Sequence, residues 1–320
     1  MSVSEGKPRV LALCGGVGGA KLALGLTHAV PAQDLAIVVN TGDDFEHLGL
    51  AISPDVDTVT YTLAGLSNPE LGWGLAGETW AFMDQLRRLG GEDWFQLGDR
   101  DLALHVERTR RLNAGESLSA ITADVARRLG VSCTLWPMSD DPVRTVLETD
   151  EGTLPFQRYF VGRRAEPVVR SIAYQGADSA QPNSHALAAL RDPALEAVII
   201  CPSNPWLSVA PLLAMPDLRA ALAETTAPVI AVSPIVGGMA IKGPTAKLMA
   251  ELGLPVTAAQ VARFYDGLID GYVLDETDRD LAEAIGGQGL ATAVMPTVMR
   301  DLASKQALAE GVLAFARSLR

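Results

Sequence analysis

The sequence has few cysteines and too few basic residues to balance its acidic ones, and both features limit its possible functions. Its three cysteines, Cys14, Cys133 and Cys201, lie far apart and form no Cys-x-x-Cys pair, which disfavours disulfide frameworks and zinc knuckles and favours a reducing compartment. The 26 basic and 38 acidic residues give a net charge of −12, which disfavours non-specific binding to nucleic acid or an anionic membrane. We expect a cytoplasmic protein with neither kind of partner.

Long apolar stretches are also missing. The N-terminal residues lack the apolar stretch of a secretory signal. The longest candidate for a membrane span, residues 220–241, is interrupted by Glu224, Pro228 and Pro234. The four histidines show no metal-ligand spacing. Apolar residues still make up 48% of the chain, so a full core can form without disulfides or a structural metal.

Short apolar runs that end at glycines predict an α/β fold. An apolar run at 9–14, a glycine turn, a helix over 19–29 and a second run at 35–40 form the opening unit of a doubly wound sheet. Further strands are expected at 197–201, 229–233, 271–275 and 291–295. We predict a Rossmann-like, mostly parallel sheet with helices on both faces.

The middle of the chain has a different pattern. Residues 117–129 are amphipathic, and alternating residues at 143–149 and 156–161 predict a hairpin. We therefore expect one domain, with a Rossmann-like core formed by residues 1–65 and 191–320 and an inserted helical and hairpin subdomain at 66–190.

The glycine-rich turn after the first strand, GGVGGAK, is a candidate phosphate site. Glycines let the backbone approach a ligand, and amides at the start of the following helix attract anions. The turn matches neither the dinucleotide fingerprint nor the P-loop. The alternative is a tight turn required only by packing. The candidate phosphate ligands are Gly15, Gly16, Gly18, Gly19 and Lys21.

Four aspartates follow the second strand and its turn. Asp43 and Asp44 come directly after that strand, and Asp55 and Asp57 begin the next helix. Carboxylates beside a phosphate site would repel both the phosphate and each other, and Mg²⁺ would resolve this conflict. We expect a magnesium site formed by Asp43, Asp44 and Asp55. The alternative for Asp55 or Asp57 is a helix cap.

Later loops supply further candidate residues. Arg100 is a candidate to contact a phosphate, and His105 to hydrogen-bond a substrate. The alternative is a helix that starts at Asp99 or Asp101 with an exposed charged turn. The loops at 202–205 and 233–238 also follow predicted strands and are typical of the second half of a nucleotide cleft. They add the following candidate nucleotide ligands: Ser203, Asn204, Ser233 and Lys242.

Taken together, these segments resemble the 2-phospho-L-lactate transferase family, which builds the deazaflavin coenzyme F-420. The first loop is of the bacterial type, since the archaeal form has Thr-Gly-Thr-Pro-Lys at 17–21. The matching segments are GGVGGAKL at 15–22, VNTGDD at 39–44, SPDVDTVTYTLAG at 53–65, GWGLAGET at 72–79, LGDRDLALH at 97–105, PMSDDPV at 137–143, PSNP at 202–205, SPIVGG at 233–238 and KGPTAKLM at 242–249.

The resemblance implies a cytoplasmic, magnesium-dependent homodimer. Such an enzyme transfers a phospholactyl, phosphoenolpyruvyl or phosphoglyceryl group from a guanosine diphosphate conjugate to the ribityl hydroxyl of the deazaflavin Fo and releases GMP. Asp57 and Asp55 would then be catalytic. The residues that would contact Fo are Asp57, Gln96, Asp99, Arg100 and His105. Archaeal members have a basic residue at the position of Gln96.

Two other functions compete with this one. The first is a non-catalytic regulator of the same fold that binds nucleotide sugars, which would explain the glycine turn without the aspartates. The second is an NAD-dependent dehydrogenase, which the missing third glycine of the fingerprint disfavours.

Overall fold

The computed structural model describes residues 7–69, 73–241, 243–287 and 289–320. The strands are β1 (Val10–Cys14), β2 (Leu35–Val39), β3 (Phe45–His47), β4 (Leu50–Ile52), β5 (Thr134–Pro137), β6 (Arg144–Thr149), β7 (Gly152–Pro155), β8 (Val169–Gln175), β9 (Ala197–Ile200), β10 (Val229–Val232), β11 (Ile235–Val236), β12 (Met239–Ala240), β13 (Gly271–Leu274) and β14 (Ala291–Val294). The α-helices are α1 (Gly16–Ala29), α2 (Pro54–Leu63), α3 (Ala81–Arg88), α4 (Asp99–Asn113), α5 (Leu118–Arg128), α6 (Ser184–Leu190), α7 (Ala210–Leu213), α8 (Pro216–Glu224), α9 (Thr245–Glu251), α10 (Ala258–Phe264), α11 (Ala282–Gly286) and α12 (Leu302–Ser318).

Seven strands form the central sheet in the order β14-β13-β10-β9-β1-β2-β5, and every neighbouring pair is parallel. The chain passes from β1 to β2 on one side and later to β9 on the other, so the strand order reverses beside β1. Ligands in such sheets bind at this reversal, outside the carboxyl ends of the strands. The predicted Rossmann-like α/β fold is confirmed.

Both faces of the central sheet are covered. Along β1, Leu11 and Leu13 belong to the hydrophobic core on one face, while Val10 and Ala12 belong to the core on the other. This alternation follows from the two-residue repeat of a strand. A strand that is buried on both faces is continuously apolar, as β1, β2, β9 and β10 are.

The predicted boundaries of the inserted subdomain need one correction. β5 lies within residues 66–190, yet it forms the edge of the central sheet and pairs in parallel with β2. The segment is therefore divided, with α3 to α5 before β5 and the antiparallel sheet β7-β6-β8 after it. β5 is an edge strand in which Thr134 is exposed and Trp136 is half-buried. Its sequence therefore lacks the continuous apolar run that predicts a buried strand, and the strand was not predicted.

The prediction that residues 156–161 form the second strand of a hairpin is also wrong. β6 pairs with β7 only as far as Pro155, and the chain then forms a π-helical turn over Arg158–Gly162. Proline cannot donate a hydrogen bond to a sheet ladder. Phe156, Tyr159 and Phe160 have helical spacing, and the rings of Phe156 and Phe160 stack 5.4 Å apart. The alternating apolar residues at 156–161 therefore belong to one side of a helical turn and not to a strand.

Within the described part of the chain, no helix is both long and apolar enough to cross a membrane.

Candidate active site

A cleft of about 530 Å³ lies at the carboxyl ends of β1 and β9, at the reversal of strand order. Most residues proposed from the sequence line it: Gly15, Gly16, Gly18, Lys21, Asp43, Asp55, Asp57, Gln96, His105, Ser203, Asn204 and Ser233. Lys242 lies outside the described residues. Four proposed residues do not line the cleft: Gly19, Asp44, Asp99 and Arg100.

The glycine turn packs closely against the loop after β9. A Cβ atom at position 18 would lie 2.3 Å from the carbonyl oxygen of Pro202, and one at position 19 would lie 2.6 Å from the Ser203 hydroxyl. The same hydroxyl donates a 2.6 Å hydrogen bond to the carbonyl of Gly15. Packing alone therefore requires glycine at 18 and 19. A bulkier residue at 18 would disturb this packing whether or not a phosphate binds.

The start of α1 still has the properties of an anion site. The Gly15 cap position supplies no side-chain cap, and the helix dipole makes this end positive. Lys21 lines the cleft one turn further along, and its Nζ donates to the carbonyl of Met299 over 3.3 Å. The glycine turn can therefore offer backbone amides and one ammonium group to a phosphate.

The two loops from the second half of the chain are held by their own polar side chains. The Asn204 carboxamide oxygen accepts hydrogen bonds from the amides of Trp206 and Leu207, whereas its buried Nδ2 has no hydrogen-bond partner. The Ser233 hydroxyl donates to the carbonyl of Ile235. Asn204 thus keeps a donor for a ligand in the cleft.

Asp55 joins the glycine turn to β2. Its Oδ1 accepts a 2.8 Å hydrogen bond from the Gly16 amide, and its Oδ2 accepts one of 2.9 Å from the Asn40 side chain. Burial raises the pKa of Asp55 to about 6. Burial and the charge of Asp55 raise the pKa of Asp43 well above its usual value, and Asp43 Oδ1 has no hydrogen-bond partner. Burial is the largest cause of both shifts and favours the neutral forms of these two carboxylates.

The predicted group of three metal ligands does not assemble. Asp44 accepts a 2.8 Å hydrogen bond from Ser53 and lines a second cavity instead of the cleft. Asp43 and Asp44 are consecutive in a turn, and their carboxylates therefore have different surroundings. Asp43 and Asp55 remain as candidate metal ligands. Mg²⁺ commonly takes only one or two carboxylates and completes its shell with water and substrate phosphates, so this pair fits the ion.

Asp57 is held by a buried arginine. Both of its oxygens contact the guanidinium of Arg108, with a 3.1 Å hydrogen bond from Nη1 to Oδ2. Burial raises the pKa of Asp57, and the charge of Arg108 opposes this effect. Ser53 occupies the cap position of α2, while the carboxylates of Asp55 and Asp57 have partners outside that helix. The helix-cap alternative is therefore wrong for both aspartates.

Arg108 belongs to a larger polar cluster between α2 and α4. The His105 Nδ1 lies 3.8 Å from Asp57 Oδ2, and its Nε2 lies 3.3 Å from Asp101 Oδ2. Asp101 also accepts a 2.5 Å hydrogen bond from the Tyr61 hydroxyl. Among the described residues, Asp57, Asp101 and His105 are the one group with three potential metal-ligating atoms within 4.8 Å of one another. Because Arg108 already balances the charge of Asp57, we interpret this cluster as an ion-pair network.

Three other proposed residues have structural partners. The Asp99 carboxylate accepts hydrogen bonds from the amides of Ala81 and Phe82 at the start of α3. Arg100 donates to the carbonyl of Ala76. Gln96 lines the cleft, but its side chain bonds to Arg87 and to the carbonyl of Asp93. The predicted contacts of Asp99 and Arg100 with a substrate are not supported by these positions.

Sequence reasoning missed the aromatic wall of the cleft and part of the polar cluster. The spacing of Asp101, His105 and Arg108 by four and three residues could have shown that they share one helix face. No local pattern shows that distant aromatic residues meet, and these line the cleft: Tyr61, Trp73, Phe95, Phe156 and Phe160.

Comparison with known proteins identifies the family of the chain. The family model of 2-phospho-L-lactate transferase CofD matches residues 10–296. A phosphoenolpyruvate transferase of Streptomyces griseus subsp. griseus is 40% identical over 318 residues, which cover 98% of this chain and 99% of that protein. A 2-phospho-L-lactate transferase of Methanosarcina mazei is 36% identical over 299 residues, covering 93% and 97%.

A solved structure shares the fold. A protein of the UPF0052 family from Bacillus halodurans has a TM-score of 0.61 at 16% identity, covering 96% of this chain and 99% of that one. The family model and the curated relatives together identify a transferase. The chain belongs to the 2-phospho-L-lactate transferase CofD family, which acts in coenzyme F-420 biosynthesis. The family resemblance found in the sequence is confirmed.

The ion pair between Asp57 and Arg108 should be important for stability. Arg108→Gln leaves the Asp57 charge buried without a counter-ion, so the free energy of unfolding should fall by about 3–5 kcal/mol. Urea denaturation monitored by circular dichroism measures this loss. The double variant Asp57→Asn with Arg108→Gln removes the stranded charge and should lose less.

Arg110 provides the matched control, because it lies on the same helix and pairs with Glu107 at the surface. Arg110→Gln should leave stability nearly unchanged. Equal stabilities of Arg108→Gln and Arg110→Gln would contradict a structural ion pair at Asp57.

Proposed function

We propose that the protein transfers a phosphorylated three-carbon acid from its guanosine diphosphate conjugate to the ribityl hydroxyl of the deazaflavin Fo, and releases GMP. One observation carries this proposal. Asp55 binds the glycine turn and Asp57 joins the α4 cluster, and these two aspartates are only two residues apart on α2. A phosphate-type site and a buried carboxylate therefore meet in one cleft.

The donor would bind at the glycine turn. Asp55 accepts a hydrogen bond from the Gly16 amide at the start of α1, so the following amides of α1 and the ammonium of Lys21 would supply positive charge for the diphosphate. Asn204 and Ser233 line the same cleft from the loops after β9 and β10. This surface suits a nucleoside diphosphate.

The pair Asp43 and Asp55 would hold Mg²⁺. When bound, the ion supplies charge neutralisation at the diphosphate and at the departing GMP. The unpartnered Oδ1 of Asp43 and the raised pKa values of both carboxylates support a cation there. Without a cation, these carboxylates would repel the donor.

The acceptor would bind on the side of α4. Aromatic side chains line this part of the cleft, and Trp73 and Phe160 are 44% and 38% exposed. Flat apolar surfaces of this kind suit the planar ring system of Fo. Asp57, at the buried end, would accept a hydrogen bond from the ribityl hydroxyl.

In the proposed step, the hydroxyl oxygen attacks the phosphorus that carries the acid. The new oxygen–phosphorus bond forms while the bond to the bridging oxygen breaks, and that oxygen leaves with GMP. Asp57 accepts the hydroxyl proton and later passes it to water. Arg108 holds the Asp57 carboxylate in place and contacts both of its oxygens. Lys21 and the amides of α1 stabilise the diphosphate as its charge shifts.

The names of the relatives favour one of the three possible acids. The Streptomyces griseus protein is named a phosphoenolpyruvate transferase, and at 40% identity it favours the enolpyruvyl group for this chain. The product would then be the dehydro form of coenzyme F-420-0. The phospholactyl and phosphoglyceryl groups are the alternatives. The cytoplasmic location and the homodimeric state that the sequence analysis expects remain predictions.

Asp57→Asn tests the role of the carboxylate in proton transfer. Asparagine keeps the size of the side chain but loses its basicity, so turnover should fall by about 10²–10⁴-fold. The affinity for GDP should change little, because the glycine turn binds it separately. GMP release in the presence of Fo measures turnover, and titration calorimetry measures GDP binding.

Asp99→Asn is the control, since Asp99 binds the start of α3 and does not line the cleft. Asparagine can still accept one of these two hydrogen bonds through its single carbonyl oxygen, and turnover should be retained because residue 99 does not line the cleft. Thermal melting establishes that both variants are folded at the assay temperature. Near-wild-type turnover of folded Asp57→Asn would contradict the proposed role.

Asp43→Asn tests the magnesium site. Activity should be lost in EDTA and restored by Mg²⁺. In Asp43→Asn the Mg²⁺ concentration for half-maximal activity should rise by about tenfold or more, which corresponds to 1.4 kcal/mol. Asp44→Asn should cause a smaller rise, because Asp44 lines the second cavity. Full activity in excess EDTA would exclude the proposed metal.

A further inference from the structure

A second cavity of about 640 Å³ adjoins the cleft. Asp43, Phe156 and Gln157 line both spaces, so the two meet at the aspartate proposed to face the diphosphate. The lining of the second cavity also includes Arg144 and Thr145, at the start of β6, and the Thr145 amide donates a 2.8 Å hydrogen bond to the carbonyl of Gly42. A group attached to the diphosphate near Asp43 could therefore extend into this space.

Three residues that line the second cavity carry a buried polar atom without a hydrogen-bond partner. Thr145 Oγ1, His47 Nε2 and Asp44 Oδ1 are buried and make no hydrogen bond, and each residue is less than 10% exposed. Leaving buried polar atoms unpaired costs free energy, and such atoms commonly mark a place where a ligand or water binds. The Thr145 hydroxyl can donate a hydrogen bond to an anionic oxygen.

Two arginines line the cavity, and they differ in their partners. Arg158 pairs with Glu92 over 2.6 Å and stacks 4.1 Å above the ring of Trp94. Arg144 donates one hydrogen bond to the carbonyl of Val143. Within the described residues Arg144 forms no salt bridge, but its charge partly offsets the rise in the pKa of Asp44, which lines the same cavity. Arg144 is thus the guanidinium with donors left for a carboxylate.

The neighbouring charges restrict the kind of anion. Asp43 and Asp44 line the same cavity, so they would repel a free anion that entered alone. A carboxylate that is covalently attached to a bound diphosphate is different, because binding of the diphosphate and its cation offsets this repulsion. Guanidinium groups bind carboxylates through two parallel hydrogen bonds.

We propose that this second cavity is the subsite for the carboxylate of the transferred three-carbon acid, with Arg144 as its counter-ion and Thr145 as an additional donor. This inference rests on the proposed function and deepens it. Phe156, at the junction of the two spaces, provides an apolar surface for the short carbon chain. Arg144 then selects donors that carry a carboxylate over donors that lack one.

The test uses two esters of guanosine diphosphate, one with lactate and one with ethanol, which differ by the carboxylate alone. Calorimetric titration of the wild-type protein with Mg²⁺ should show at least about tenfold tighter binding of the lactate ester, or 1.4 kcal/mol. Arg144→Gln should abolish this preference and leave the affinities for the ethanol ester and GDP unchanged. Arg144→Lys should retain part of the preference.

Arg170 offers a matched control, because it is an exposed arginine on β8, the strand beside β6, and does not line the cavity. Arg170→Gln should bind all three ligands like the wild type. A full preference for the lactate ester in Arg144→Gln would overturn the carboxylate subsite and leave the proposed transfer intact. If the wild-type protein binds neither ester and also fails to bind the enolpyruvyl conjugate, both the proposed function and this inference fail.

Discussion

The carboxylate of Asp55 connects the three segments on which the cleft depends. It accepts hydrogen bonds from Gly16 at the start of α1 and from Asn40 after β2, while its own backbone belongs to α2. The position of α2 is thereby fixed relative to the glycine turn. Asp57, two residues further along α2, is then placed against α4, so one carboxylate aligns the phosphate side of the cleft with the side that would hold the acceptor.

The same region concentrates buried negative charge, and the protein compensates it in two ways. At Asp57 the compensation is internal, because Arg108 lies in contact with both carboxylate oxygens. Asp55 accepts hydrogen bonds from two neutral donors, the Gly16 amide and the Asn40 side chain, and burial raises the pKa values of Asp43 and Asp55. A buried carboxylate without a counter-charge is costly. The ion pair with Arg108 holds the Asp57 carboxylate in one position. The carboxylates of Asp43 and Asp55 instead suit a site for an exchangeable cation.

Most of the fold and the position of the glycine turn in the cleft could be predicted from the sequence, because both follow from local patterns. Apolar runs at 9–14 and 35–40 correspond to β1 and β2, and the loops that follow such strands must meet at one edge of a parallel sheet. β5 escaped prediction because an edge strand need not be apolar on both faces. The turn at Arg158–Gly162 escaped because Pro155 ends the pairing of β7.

The acceptor side could not be predicted residue by residue, because tertiary contacts decide which neighbours face the cleft. Asp99 and Asp101 both lie in the first turn of α4, yet Asp99 binds the amides of α3 and Asp101 lines the cleft. Sequence patterns also could not pair Arg108 with Asp57, because the two residues are 51 positions apart in the chain. Sequence patterns identify such residues as candidates, and packing then determines their roles.

The central claim is that donor and acceptor meet in one cleft and react directly. Its most direct test is to mix the purified protein with Mg²⁺, Fo and the enolpyruvyl conjugate of guanosine diphosphate, and to quantify GMP and the deazaflavin product by mass spectrometry over time. Direct transfer predicts that GMP and product form in equal amounts and that almost no GMP appears without Fo. Rapid GMP release without Fo, or an acid phosphate attached to the protein, would contradict it.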